Sequence, residues 1–130
     1  MKRINSRQKG KRGEREAAAF LRSLGFEARR GQQFAGGGDS PDVVTSLSNV
    51  HIEVKFGVKG MDLGTQLLRD ACDQAERECG GKQWVVLWKP ARQDWRLTNK
   101  CKITGAYITL CGTDEHYATA LRHLNEITKS

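Results

Sequence analysis

A chain of 130 residues with three Trp and an ordinary apolar content is the size of one domain, burying roughly two-thirds of its unfolded surface, which excludes disorder throughout. No run nears the ~18 apolar residues of a membrane span and no apolar leader opens the chain, so an intracellular protein without a membrane segment is expected. The net charge of +7 is concentrated: residues 1–13 hold six basic groups and no acid, leaving sixteen basic and fifteen acidic groups in the other 117.

Those six groups, Lys2, Arg3, Arg7, Lys9, Lys11 and Arg12, read as a flexible basic tail ahead of a single domain at 14–130. Such a tail suits a polyanion, nucleic acid being the commonest inside cells, and equally suits a solvated end that aids solubility. Glu14 to Leu24 follows as a helix, with Ala17, Phe20, Leu21 and Leu24 at helical spacing and Gly25 as its stop. Glu14 lies at the border of that apolar stripe and Glu16 further round. Phe26 to Arg30 can form a first strand. The loop from Gly31 to Asp39 contains three adjacent glycines and no Gly-Lys-Ser/Thr, so it is not a P-loop. Arg29, Arg30 and Phe34 border it and offer contacts to a nucleic-acid backbone.

Two strands then carry charge, Ser40-Pro41-Asp42-Val43-Val44-Thr45 and Val50-His51-Ile52-Glu53-Val54-Lys55-Phe56, joined as a hairpin through Ser46 to Asn49. Strand alternation puts Ile52, Val54 and Phe56 on one face and Glu53 with Lys55 on the other. Asp42 shares the charged face if the loop has an even number of residues. Asp62 is expected to cap a helix ending at Cys79 before Gly80-Gly81, with Leu63, Leu67, Leu68, Ala71, Cys72, Ala75 and Cys79 on its apolar side and Gln74 at the border. Gln83-Trp84-Val85-Val86-Leu87-Trp88 is a continuous apolar run, the mark of a strand covered on both faces. Trp95 to Thr98 and Ala106 to Cys111 are candidate edge strands. Thr113 or Asp114 caps a last helix with Tyr117, Leu121, Leu124 and Ile127 on one side.

The cysteines at 72, 79, 101 and 111 form no C-x-x-C pair, so reduced thiols are expected and their spacing offers no zinc site. His51 at a strand start reads as polar surface, and His116 and His123 share no spacing with the acids.

Two carboxylates and a lysine on one face fit metal-assisted phosphodiester hydrolysis, which requires charge neutralised at the phosphate and an activated water. Magnesium prefers oxygen ligands, so Asp42 and Glu53 are the candidate direct ligands and Glu14 a candidate for a second ion or its water. Lys55 would position the attacking water or offset developing charge. Gln74 is an auxiliary candidate. The competing reading is a solvated strand face whose exposed Glu53–Lys55 pair is worth ~0–1 kcal/mol.

The order Gly13-Glu14-Arg15-Glu16, Gly-rich loop, Ser40-Pro41-Asp42-Val43-Val44 and His51-Ile52-Glu53-Val54-Lys55 resembles the PD-(D/E)xK nuclease superfamily. Within it the similarity is strongest to archaeal-type and phage Holliday junction resolvases, over roughly residues 10–90. The resemblance implies an α/β, restriction-endonuclease-like mixed sheet flanked by helices, with an α-β-β-β-α-β core. It implies a homodimeric Mg2+-dependent endonuclease for branched DNA, with Mn2+ able to substitute, and adds the Val54 carbonyl as a metal ligand. The family often carries a serine within the loop, whereas here Gly36-Gly37-Gly38-Asp39 precedes Ser40. A restriction, repair or phage nuclease on duplex, nicked or single-stranded DNA shares all these features. A non-catalytic nucleic-acid-binding or RNA-associated module would not depend on Asp42, Glu53 or Lys55.

Overall fold

The computed structural model describes residues 6–31, 42–57 and 59–127. Three helices and six strands follow in the order α1 (Ser6–Ser23), β1 (Ala28–Arg30), β2 (Val43–Thr45), β3 (Val50–Phe56), α2 (Gln66–Glu78), β4 (Gln83–Lys89), β5 (Arg96–Lys100), β6 (Tyr107–Leu110) and α3 (Asp114–Glu126). The mixed α/β class expected from the sequence is present: a four-stranded sheet ordered β3-β4-β5-β6 lies between helices.

The sheet begins with the parallel pair β3–β4, in register from Val50 opposite Gln83 to Phe56 opposite Lys89. Parallel neighbours need a crossover, and α2 supplies it. Because partners in register share a face, Ile52 and Val54 lie with Val85 and Leu87 against Ala17, Leu21 and Leu121. On the other face, Trp84, Val86 and Trp88 pack under Leu68, Ala71, Cys72, Ala75 and Cys79 of the α2 segment. The β4 run is therefore covered on both sides, as its unbroken apolar sequence requires. β5 pairs antiparallel with β4 and β6 antiparallel with β5, so of the two candidate edge strands β5 is interior and β6 is an edge. The Trp88 indole donates to Thr98 Oγ1 at 2.9 Å, and Thr98 meets Thr109 at 2.8 Å, tying the three strands together.

Several boundaries differ from the sequence reading. Helix α1 starts at Ser6, not Glu14, so Arg7, Lys9, Lys11 and Arg12 belong to helical backbone. Gly10 and Gly13 lower local propensity, which hid the continuation. Gly13 is required by packing, because a Cβ there would run into Phe56. β2 does not form a hairpin with β3: it pairs with β1, Ala28 to Arg30 opposite Thr45 to Val43, as a separate two-stranded sheet. The cap of α2 is Thr65, whose hydroxyl accepts from the Leu68 N–H, and Asp62 instead opens the preceding turn. Leu63, ahead of the helix, and Leu67, in its first turn, are exposed and not part of the apolar side expected for them. The cap of α3 is Thr113, one of the two candidates. All four cysteines are free, with Cys72 and Cys79 buried as expected.

Candidate active site

Strand β3 carries the charged residues with His51 and Glu53 buried and Lys55 half-buried. Their side chains point toward α2, because alternation leaves the opposite positions to the α1 core. This is not the solvated strand face of the competing reading: Glu53 is 3% exposed. Lys55 Nζ stands 3.4 Å from Glu53 Oε1 and donates to Gln74 Oε1 at 3.2 Å. Gln74 in turn donates to Glu78 Oε1 at 3.3 Å. The helix amide expected at the border of the α2 stripe therefore reaches the strand.

Asp42, just before β2, arrives by another route than a hairpin ladder. Its Oδ2 accepts the backbone N–H of Val54 at 2.9 Å, which places the carboxylate against the residue between Glu53 and Lys55. Asn49, in the connection from β2, is fastened to the end of α3. Its N–H donates to Asn125 Oδ1 at 2.9 Å and its amide to the Ile127 carbonyl at 2.7 Å. From the other side, Glu14 of α1 accepts from Arg30 Nε at 2.8 Å through Oε2.

The electrostatics follow from this crowding. Burial pushes the Asp42 carboxyl up to about 7; the Glu53 and Glu14 charges add to the shift, while the Val54 N–H and Lys55 oppose it. Burial also pushes Glu53 upward, but His51 and the Lys55 ammonium outweigh it and hold that carboxyl below its ordinary value. Asp42 resists ionising beside the Glu53 carboxylate, and a cation between them would relieve that. The donor set, carboxylates with a backbone strand alongside, fits a divalent ion on those grounds.

Of the other expected residues, Arg29 is exposed and Arg30 is engaged by Glu14. Lys11 is half-buried, and Arg12 is exposed, pairing with Glu16 at 3.5 Å. For Arg7 and Lys9 the helical backbone alone is described; Lys2, Arg3 and the loop from Gln32 through Ser40 and Pro41 lie outside the described residues. Sequence reasoning missed two residues. His51 is buried rather than polar surface, its Nε2 lying 3.8 Å from Glu53 Oε2, and Glu78 closes the same cluster from α2. The only signal for His51 was its shared parity with Glu53; nothing local marked Glu78.

A family model described as archaeal Holliday junction resolvase (Hjc) matches residues 5–129. Among solved structures the chain is similar to Archaeoglobus fulgidus Hjc, titled a Holliday junction resolvase from an archaeal hyperthermophile. Identity is 20% and the TM-score 0.48, over 85% of this chain and 98% of that one. No curated protein matches.

Proposed function

The chain belongs to the archaeal Holliday junction resolvase (Hjc) family, of metal-dependent nucleases, and on that premise we propose that it cuts four-way DNA junctions using magnesium at Asp42 and Glu53. The observation that carries the residue assignment is the Asp42 carboxylate seated on the Val54 N–H beside buried Glu53, with Lys55 alongside. Asp42, Glu53 and the Val54 carbonyl would hold Mg2+, with Mn2+ able to replace it. A bound divalent ion supplies charge neutralisation at the scissile phosphate.

The chain's own groups do the rest. Lys55 is restrained by Gln74 and Glu53, so its ammonium is held ready to orient water or offset charge on the phosphate. Glu14, kept in place by Arg30, presents its free oxygen as a further anchor for a second ion or ordered water. Two symmetric nicks need two sites, and a two-fold homodimer supplies them. Arg29 and the basic residues of the N-terminal region (Lys2, Arg3, Arg7, Lys9, Lys11, Arg12) would neutralise phosphates, making binding steeply salt-dependent. The protein would act inside the cell, where its DNA substrate is.

The test is a gel series with purified protein on four-way junction, linear duplex, nicked duplex and single-stranded DNA, each with and without Mg2+. Paired nicks on the junction alone, abolished by Asp42→Asn without loss of binding, are the expected result. Equal cutting of linear duplex removes junction selectivity, and cleavage surviving in Asp42→Asn removes the site assignment.

A further inference from the structure

We propose that His51, Glu53 and Glu78 form a second cation site, selective for a divalent transition ion of the zinc class. One ligand atom from each residue lies within 4.8 Å of the other two. His51 is 9% exposed, and its Nε2 has no hydrogen-bond partner although it faces Glu53 Oε2 at 3.8 Å. A buried ring nitrogen in this state needs a partner, and carboxylates of Glu53 and Glu78 stand beside this histidine.

The donor set decides which ion. One imidazole with two carboxylates suits zinc, cobalt or manganese, whereas magnesium favours oxygen ligands and retained waters. Ligands about 2.0–2.2 Å from a tetrahedral zinc stand roughly 3.3–3.6 Å apart, so His51 and Glu53 need to close by only a few tenths of an ångström. Glu78 is exposed near the end of α2 and has the freedom to complete the set. Access is open: a groove of about 550 Å³ is lined by His51 and Glu78 together with Thr45, Ser48, Arg77 and Lys82.

Glu53 belongs to both centres. Its Oε1 faces Lys55 and its Oε2 faces His51. An ion held by His51 and Glu78 draws Glu53 toward the groove and away from Asp42. Zinc therefore antagonises magnesium at the neighbouring centre. This consequence rests on the resolvase reading; the ion site itself does not.

The test is calorimetric titration of the full chain with Zn2+, and with Co2+ followed by absorption. One equivalent is expected to bind, with no thiolate-to-metal charge-transfer band from the four cysteines. His51→Gln and Glu78→Gln should each weaken binding at least tenfold. Glu78→Gln alters a surface residue, so it remains informative if the buried histidine variant folds poorly. No binding by the unaltered chain, equal affinity in Glu78→Gln, or a thiolate band each overturns the site. In junction assays, Zn2+ should raise the Mg2+ needed for half-maximal cleavage, and Glu78→Gln should lessen that rise. Zinc bound normally without this shift overturns the antagonism alone. A chain that binds zinc as described but never cuts junctions counts against the resolvase reading and supports the site.

Discussion

On the α1 side of β3, Ile52 and Val54 are 1% and 9% exposed; on the α2 side, His51 and Glu53 are 9% and 3% exposed. The two faces are equally hidden from water and chemically opposite. The first gains from burial, about 1.5–3 kcal/mol for each large apolar side chain. The second places ionisable groups where solvation is poor, and protons, His51, the Val54 N–H, Lys55 and cations offset that. One seven-residue strand thus holds the fold with alternate residues and the proposed site with the rest.

The largest expected effect separates the faces by activity. Asp42→Asn or Glu53→Gln should lower junction cleavage by on the order of 10³-fold or more while gel-shift affinity stays near the unaltered level. Ile52→Ala should do the reverse, removing about 2–5 kcal/mol of stability in urea melts and leaving cleavage per folded molecule nearly intact. If both substitutions instead damaged stability alike, the division between the faces would be wrong.

The pH response sharpens the comparison. The Asp42 carboxyl sits near 7 in the folded chain against an ordinary 3.8. Below 3.8 it is protonated whether folded or not. Between the two values the unfolded chain has released the proton and the folded chain keeps it, so folding stability falls as pH rises. Above about 7 both forms are ionised and the loss is complete. Glu53 works the other way: its lowered value adds stability above its ordinary 4.5, lost as pH falls. Melting temperatures of the cation-free chain should therefore decline from about pH 5 to pH 7, a decline absent in Asp42→Asn. Isothermal titration should show divalent-ion affinity climbing over the same interval.

Two smaller effects complete the series. Gly13→Ala forces a Cβ against Phe56 and should cost about 1–3 kcal/mol in denaturant melts by lifting α1 off the strand. Gln74→Ala removes an acceptor from Lys55; single-turnover cleavage should fall by roughly tenfold, with stability unchanged within about 0.5 kcal/mol.

Local pattern made much of this readable. The unbroken Gln83–Trp88 run announced a strand covered on both sides, and alternation in Val50–Phe56 put Glu53 and Lys55 together. The border position of Gln74 on α2 made it the candidate helix amide, and it reaches Lys55. What stayed hidden were choices between distant partners. Nothing in Val43–Thr45 states that it pairs with Ala28–Arg30 and not with β3, because either ladder satisfies the same backbone groups. Asp42 nevertheless reached Glu53, through a side-chain bond to Val54 in place of a ladder. Asp62 and Thr65 are both good caps, and the turn between them decided for the second. The burial of His51 depends on α2 and β4 arriving from 15 or more residues downstream, beyond any local window.

The bonds from Asn49 to Asn125 and Ile127 join the β2–β3 connection to the end of α3, 76 and 78 residues further along. On the ribosome these partners therefore emerge long after Asn49. A nascent chain that already contains every proposed ligand still lacks the clamp that holds their connection. Cutting competence is thereby deferred until α3 has been made, and a chain ended before Asn125 should show an unprotected Asn49 amide in hydrogen exchange.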